Sequence, residues 1–258
     1  MPADRPGFLS GKVVLVTGGS RGIGRAISLR LARENPAHVV IAFCMNAEAA
    51  RRTLHDVQAL GVQASVTVCD VGNEELQRQM FARVEEQFGR LDVFVANAAR
   101  TTFRSAVAMD LRSWRRTQEL NAEAFLVGSQ CAAAIMRRNG GGRIIGLSSL
   151  GSRYYTPNYA ALGAAKAVIE NLARYLAVEL ARDKINVNVV CGGFVDTESM
   201  KMIPEYDMLT RMIPARTPAG RLGQPEDLAG VVAFLSSPES EWVRGQTIIA
   251  DGGFSLML

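Results

Sequence analysis

The chain has 258 residues, of which 48% are hydrophobic and 21% charged, and this composition suits one large α/β domain with a substantial core. A net charge of +4, without interleaved aromatic and basic residues, gives no indication of nucleic-acid binding. The four cysteines lie far apart and lack metal-ligand spacing, so no metal site is expected. No apolar run approaches the length of a membrane span, and residues 1–12 contain no hydrophobic signal region. A cytoplasmic protein that needs no membrane is therefore expected.

The first predicted strand leads into a glycine-rich turn. Residues 12–17 (KVVLVT) form a short apolar run, and TGGSRGIG follows over 17–24 at the start of a helical pattern. A strand, a glycine turn and a helix in this order are typical of a dinucleotide-binding site. Gly18 and Gly22 permit backbone angles and a close approach that a Cβ would block. Gly24 lets the helix pack closely, and the N-terminus of the helix faces a pyrophosphate.

The second predicted strand, 38–43, bears on the choice of cofactor. Folds that prefer NAD usually place an acidic residue near the end of this strand to bind the ribose 2′-hydroxyl, but residues 43–46 are Phe, Cys, Met and Asn. Arg21 lies inside the glycine turn, in position for a 2′-phosphate. Arg51 and Arg52 are either helpers or part of an exposed helix face. The balance favours NADPH over NADH.

Strands and helices continue to alternate along the chain. Further helices are predicted at 46–59, 73–88, across 110–138 and near 226–235, and further strands at 64–69, 91–96, 143–148, 185–190 and 246–250. This alternation predicts a Rossmann-type, doubly wound parallel sheet of about seven strands with helices on both faces. No linker or repeat interrupts the pattern, so residues 1–258 are predicted to form a single domain.

Residues 192–216 break the alternation. They contain two glycines, two prolines and four methionines. An irregular segment of this length in a compact domain is typically a lid or a binding loop. Its methionines, including the candidate substrate contacts Met200 and Met202, either pack ordinarily or offer a flexible surface to an acyl chain.

The stretch 148–171 contains the candidate catalytic groups. Thr156-Pro157 predicts the start of a helix, and on that helix Tyr159 and Lys166 lie seven residues apart, which places them on one face. Ser149 precedes them on a loop. Hydroxyl groups can donate to an oxygen that gains negative charge, and the cation lowers the pKa of the tyrosine and can hold a sugar hydroxyl.

Two other tyrosines compete for the catalytic role. Tyr154 and Tyr155 lie on the loop before the helix, where they either line the mouth of the substrate site or cover the edge of the sheet. Tyr159 is preferred because only its helical register gives it Lys166 as a partner. Tyr155 remains a candidate substrate contact.

Together these residues resemble the short-chain dehydrogenase/reductase family over nearly the whole chain. The matching pieces are TGGSRGIG, Cys69-Asp70-Val71, ANAA at 96–99, Asn121, Ser149, Tyr159, Lys166, GGFVDT at 192–197 and GQTIIADGG at 245–253. The resemblance implies a catalytic set formed by Ser149, Tyr159, Lys166 and Asn121. It also implies cofactor contacts from Gly18, Ser20, Arg21, Gly22, Ile23, Gly24, Asp70, Val71, Asn97, Lys166, Gly193, Val195 and Thr197.

The resemblance assigns a role to several of these residues. Asp70 would contact the adenine ring, and Asn97 would hold the cofactor and the fourth strand. Asn121 would hold a water that links Lys166 to solvent, and Thr197 would meet the nicotinamide carboxamide. The family's usual NNAG and Pro-Gly pieces read ANAA and Gly-Gly here, which changes the nicotinamide pocket without removing a catalytic group.

The spacing of the tyrosine narrows the function. In carbonyl reducers of this family the tyrosine stands four residues before the lysine, but that position here is Leu162, and Tyr159 stands seven before Lys166. Ser149 keeps the separation of 17 residues from Lys166 that the carbonyl reducers show, which favours it over Ser148. Only the tyrosine has moved.

The Tyr-x6-Lys spacing resembles that of the enoyl-acyl carrier protein reductases, and the surrounding segment is most similar to their NADPH-dependent type III members. Reducing an enoyl thioester places hydride on C3 and negative charge on the thioester oxygen at C1, so the proton donor must lie further from the nicotinamide. The resemblance therefore implies NADPH-dependent reduction of the C=C bond of an acyl thioester. The alternative is a reductase of the same fold acting on a ketone such as a 3-oxoacyl thioester, an imine or another activated double bond. A third hypothesis, a non-catalytic dinucleotide sensor, does not explain the intact proton-relay residues.

Two kinds of partner follow from these expectations. Arg112, Arg115 and Arg116 form one basic helix face, which is either a docking site for an acidic acyl carrier protein or a solvated surface. The family resemblance implies a homotetramer assembled through the long helices at 119–138 and 157–182.

Overall fold

The computed structural model describes residues 7–100, 102–201 and 206–257, with the backbone alone at Ser199. Its strands are β1 (Val13–Thr17), β2 (His38–Phe43), β3 (Ala64–Val68), β4 (Val93–Ala96), β5 (Gly142–Ser149), β6 (Ile185–Gly192) and β7 (Thr247–Ala250). Its helices are α1 (Gly22–Ala32), α2 (Ala47–Gln58), α3 (Glu74–Phe88), α4 (Leu111–Gln118), α5 (Ala124–Arg138), α6 (Ala160–Glu179), α7 (Glu198–Lys201), α8 (Tyr206–Arg216) and α9 (Pro225–Ser236).

The strands form one seven-stranded sheet in the order β3-β2-β1-β4-β5-β6-β7. Every neighbouring pair in it is parallel. The strand order reverses between β1 and β4, and in such a sheet the ligand crevice lies at that point, outside the carboxyl ends of the strands. The predicted Rossmann-type, doubly wound parallel fold is confirmed.

Two apolar layers cover the sheet and explain why its central strands are apolar on both faces. One core cluster joins the strands to α3, α5 and α6, and it includes Phe94, Phe125 and Ile144. The other joins them to α1 and α9, and it includes Ile27 and Leu228. Because helices cover both faces, a parallel strand needs no polar alternation, and β6 is buried throughout its length.

Short polar residues start several of the helices as the sequence leads one to expect. The side chains of Asn46, Asn73 and Asp110 accept hydrogen bonds from the first turns of α2, α3 and α4. Helix α9 starts with Pro225 and with a reciprocal capping box between Gln224 and Asp227.

The structure corrects two of the predicted elements. The helix expected to start at Thr156-Pro157 starts at Ala160, because Asn158 adopts a left-handed conformation (φ 58°) that a helix cannot include. Tyr159 is therefore the residue just before α6. The segment 192–216, expected to be irregular, contains α7 and α8 in its described part, because helix-forming Met and Leu outweigh the proline near the end of α8.

A buried carboxylate joins β1 and β4 where these strands begin, at the end of the sheet away from the crevice. Asp92 Oδ2 accepts from the backbone N–H of Val13 at 2.8 Å, and both carboxylate oxygens accept from the Arg90 guanidinium at 2.9 and 2.7 Å. Lys12 Nζ lies 3.3 Å from the same carboxylate. These bonds join the beginnings of β1 and β4.

We expect Asp92→Asn to lower the free energy of unfolding by about 1 to 3 kcal/mol, because the buried N–H of Val13 and the partly exposed guanidinium of Arg90 lose their anionic acceptor. Cofactor affinity should stay unchanged, since the crevice lies at the opposite end of the strands. Urea denaturation measures the first quantity and fluorescence titration with NADPH the second. Asp207→Asn, which removes an exposed carboxylate, serves as the control and should change stability little.

Candidate active site

The glycine turn between β1 and α1 has the geometry of a phosphate cradle. Gly18 and Gly22 have positive φ values, 63° and 52°. A Cβ on Gly24 would lie 2.0 Å from the carbonyl oxygen of Gly18, so the first turn of α1 packs directly on the backbone of the cradle. Only glycine allows this approach, and it directs the N-terminus of α1 into the crevice.

Asn97 fastens the cradle to β4. Its Nδ2 donates to the carbonyl oxygens of Thr17 and Gly18 at 3.0 and 3.1 Å, and its backbone N–H donates to Thr17 Oγ1 at 3.1 Å. The structure thus places Asn97 where the sequence expected it to hold the fourth strand. Because the same side chain also fixes the carbonyl of Gly18, it sets the shape of the glycine turn.

The other residues of the turn have distinct environments. Ser20 is buried, and its carbonyl oxygen accepts from Thr53 Oγ1 at 2.8 Å. Ile23 is half-buried against the core beneath α1. Arg21, the residue that precedes α1, is exposed, with an extended backbone. Its side chain is therefore accessible to solvent beside the glycine turn.

Asp70 and Val71 follow β3. Asp70 Oδ2 accepts from Arg116 at 2.6 Å, and Oδ1 accepts from the backbone N–H of Gly72 at 3.0 Å. Val71 is buried in the core. Arg116, for which the sequence left open a docking surface or a solvated one, holds the Asp70 carboxylate in place.

The segment after β6 lies beside the crevice and contains Gly193, Val195 and Thr197. A Cβ on Gly193 would lie 2.7 Å from Cβ of Asp251, which explains a glycine at this position. Val195 is buried and pairs with Gly223 in a short parallel bridge. Thr197 Oγ1 accepts from the backbone N–H of Met200 at 3.3 Å.

The glycine turn lies directly beside the segment that follows β6. A Cβ added to Gly22 would be in van der Waals contact with the side chain of Thr197, at 3.8 Å. The positive φ angles of the turn and the N-terminus of α1 match the needs of a bound pyrophosphate.

The structure brings Ser149 and Tyr159 together. The Tyr159 hydroxyl donates to Ser149 Oγ at 3.2 Å, and Ser149 lies at the carboxyl end of β5, on the crevice side of the sheet. Phe103 packs against the tyrosine ring with 6.1 Å between the ring centroids. Burial raises the pKa of Tyr159, and the hydrogen bond to Ser149 partly offsets that rise. Burial is the largest cause of this shift, and an effect of Lys166 on the pKa of Tyr159 stays a prediction.

Lys166 and Asn121 lie deeper, behind the hydroxyl pair. Lys166 is 5% exposed, and its Nζ donates to the carbonyl oxygen of Leu147 at 2.8 Å. Asn121 lies where a single π-helical turn (Glu119–Glu123) separates α4 from α5, and such turns often occur at functional sites. Its Oδ1 is buried without a hydrogen-bond partner in the described chain, and both residues line one small cavity. An acceptor in that position is what a bridging water requires.

The two candidate substrate contacts that the structure describes differ in burial. Tyr155, on the loop before α6, is 90% exposed. Met200, in α7, is buried and 5% exposed. Met202 lies outside the described residues. Their contact with substrate remains a prediction.

Sequence reasoning missed two residues that contact this site. Phe103 packs on the tyrosine from the loop after β4, and a lone aromatic in a loop carries no motif that would have identified it. Glu170 is a buried acid on α6, and its position four residues after Lys166 was the only signal available. Among the described residues no His, Cys, Asp and Glu side chains are grouped as a metal site requires.

Comparison with known proteins agrees with this geometry. The family described as "Enoyl-(Acyl carrier protein) reductase" matches residues 18–255. This chain is a short-chain dehydrogenase/reductase. The enzyme is accordingly an NAD(P)-dependent oxidoreductase. None of the helices in its described part is long and apolar enough to cross a membrane.

Relatives of this short-chain reductase act on different substrates. A 1-cyclohexenylcarbonyl-CoA reductase of Streptomyces collinus is 39% identical over 248 residues, covering 95% of this chain and 88% of that one. A 7α-hydroxysteroid dehydrogenase of Escherichia coli K12 is 32% identical over 245 residues, with 95% and 94% covered. A solved 7α-hydroxysteroid dehydrogenase in complex with NADH and 7-oxo glycochenodeoxycholic acid superposes with a TM-score of 0.90 at 32% identity, covering 97% of each chain.

The buried amine of Lys166 makes the stability of this reductase depend on pH. Burial lowers the pKa of Lys166 to about 8, whereas an unfolded lysine titrates near ~10.4. Between these values the unfolded chain binds a proton that the folded chain lacks, so this residue makes stability rise with pH from 8 upwards and destabilises the fold below.

We expect Lys166→Met to remove this rise. From pH 7.5 to pH 10.5, the unfolding free energy of the wild type should rise by about 3 kcal/mol relative to that of the variant. Urea denaturation of both proteins at a series of pH values measures it. Two parallel pH curves would contradict the assignment.

Proposed function

We propose that this short-chain reductase uses NADPH to reduce the C=C bond of an enoyl thioester. The carrying observation is the contact between Tyr159 and Ser149, which is made although the tyrosine stands three residues earlier than in carbonyl reducers. The position that carbonyl reducers use is taken by Leu162, a buried apolar side chain. The Streptomyces relative supports the proposal, because its name, 1-cyclohexenylcarbonyl-CoA reductase, describes a CoA thioester with a ring alkene next to the carbonyl.

The proposed reaction divides the work among few side chains. NADPH supplies the hydride for the β-carbon of the substrate. Tyr159 and Ser149 donate hydrogen bonds to the thioester oxygen, where the enolate charge develops, and the phenol then supplies the proton that completes reduction at the α-carbon. Lys166 holds the ribose. Asn121 holds a water through which Lys166 exchanges protons with solvent.

The charge around the cradle supports NADPH as the cofactor. Arg21 is exposed beside the glycine turn, and β2 ends in Phe43 followed by Cys44, with no acid to bind a ribose 2′-hydroxyl. Arg52 is paired with Glu48 on the exposed face of α2, which leaves Arg21 as the better candidate for the 2′-phosphate.

The segment 192–216 is proposed as a lid over the acyl chain. Its part in α8 presents Met208 and Met212, which are both exposed, as flexible apolar surface. Tyr155, on the loop before α6, is exposed and is a further candidate contact for substrate.

Partners of the enzyme are proposed on two surfaces. Arg112 and Arg115 on α4 are exposed and are candidates to dock an acidic carrier protein, while Arg116 is bound to Asp70. Helix α6 exposes Tyr175 and Val178, apolar surface of the kind that a homotetramer would cover.

The reaction is tested with crotonyl and acetoacetyl thioesters side by side. We expect NADPH consumption with crotonyl thioester and none with acetoacetyl thioester. Tyr159→Phe should lower kcat by about 100-fold or more, because the donor to the developing enolate is lost, with the affinity for NADPH nearly intact. Turnover of acetoacetyl thioester alone would show that the enzyme is a carbonyl reductase.

Cofactor preference is tested at Arg21. Arg21→Ala should raise the KM for NADPH about tenfold or more and leave that for NADH unchanged, because a charge-assisted bond to the 2′-phosphate is lost. Arg33→Ala, at the other end of α1, removes the same charge and should change neither value. An equal effect on both cofactors would contradict the assignment.

A further inference from the structure

A buried carboxylate next to the active site is not used by the chemistry proposed above. Glu170 on α6 is 6% exposed. Its Oε1 accepts from Ser148 Oγ at 2.7 Å and from Ser152 Oγ at 2.6 Å. Its Oε2 accepts twice from the guanidinium of Arg153, at 2.9 and 3.1 Å. One carboxylate thus binds three residues of a single short stretch of chain.

Those three residues bracket Ser149. Ser148 is the residue before it, and Ser152 and Arg153 end the turn after it. The Ser152 hydroxyl also lies 2.8 Å from the carbonyl oxygen of Ser149, so it connects the carboxylate to the backbone of the catalytic residue. Because both sides of the turn are bound to one rigid point on α6, Ser149 has little freedom to rotate or shift.

The turn that Glu170 binds also supports the ring of Tyr159. A Cβ on Gly151 would lie 2.4 Å from Cδ1 of the tyrosine ring, so the ring rests directly on the backbone of the turn. The Tyr159 hydroxyl then reaches Ser149 Oγ. Any displacement of the turn is therefore passed on to both members of the hydroxyl pair.

Stability alone does not explain why a carboxylate is buried at this position. A buried ion pair often contributes no more to stability than apolar side chains of the same volume. Here the partner Arg153 is part of the turn itself and its side chain is 39% exposed, so the pair is arranged to hold that loop and not to fill the core. Burial, with Glu170 nearby, raises the pKa of the Cys191 thiol to about 12, so Cys191 adds no charge to this pocket.

We propose that Glu170 is a positioning residue for the reaction: through the 149–152 turn it holds Ser149 and Tyr159 at the spacing needed to stabilise the enolate. The proposal rests on the proposed function, in which these two hydroxyls share the thioester oxygen. A loss of about 1 Å in such a pair can cost about 100-fold in rate.

Glu170→Gln keeps the shape of the side chain and removes its charge. We expect kcat with crotonyl thioester to fall about tenfold or more, with the dissociation constant of NADPH within about twofold of the wild type, because the ribose side of the site is not bracketed by the turn. In a Ser149→Ala background the same substitution should have a clearly smaller effect, because only the route through Tyr159 remains. Glu86→Gln, an exposed acid on α3, is the matched control and should keep wild-type values.

Two outcomes overturn the proposal. One is a wild-type kcat in Glu170→Gln, and the other is a fall of equal size with and without Ser149. If Glu170→Gln does not fold, Ser152→Ala removes one arm of the bracket, and its kcat should fall in the same Ser149-dependent way. An unchanged kcat in a folded Ser152→Ala protein would then overturn the proposal.

A crystal structure of Glu170→Gln separates this proposal from the proposed function. The distance between Ser149 Oγ and Tyr159 Oη should change by more than about 0.5 Å from the wild-type value. If the wild type turns over neither thioester, the proposed function is wrong, while the positioning role is still decided by this distance. An unchanged distance overturns it.

Discussion

The active site depends on a backbone contact that leaves no room for side chains. A Cβ on Gly163 would lie 2.3 Å from the carbonyl oxygen of Gly151, and a Cβ on Gly151 would collide with the ring of Tyr159. The turn after β5 and the first turns of α6 therefore touch, and the tyrosine ring fills the space between them. The sheet fixes the position of β5 and the core fixes that of α6. Because the Tyr159 ring packs between them, the position of its hydroxyl is fixed as well.

Because Tyr159 stands three residues earlier than the tyrosine of carbonyl reducers, its position depends more strongly on that contact. In this enzyme Tyr159 comes just before α6, after the left-handed Asn158, so its backbone belongs to a loop. Lys166 and Glu170, in contrast, stand on the helix itself and are held by its packing. A tyrosine supplied by a loop has less support from its own backbone. The packing of its ring on Gly151 and its bond to Ser149 replace the support that a helix would give.

The sequence predicted the sheet and the glycine cradle well, because both follow from local pattern. The apolar runs predict the buried strands, and the glycines after β1 predict a turn with positive φ angles. The start of α6 was missed because Thr156-Pro157 matches a helix start locally, while the conformation of Asn158 is decided by packing. The bracket around Ser149 was missed for a related reason, since Glu170 lies 17 or more residues from every group it binds. Which side chains meet across such a separation is set by the tertiary fold.

Burial governs the protonation of both titratable groups of the site. It raises the pKa of Tyr159, so at neutral pH the phenol keeps its proton and can donate it. It lowers the pKa of Lys166 to about 8, and the amine of this residue donates to the carbonyl oxygen of Leu147. A protonated donor beside Ser149 is the form that an oxygen with developing negative charge needs.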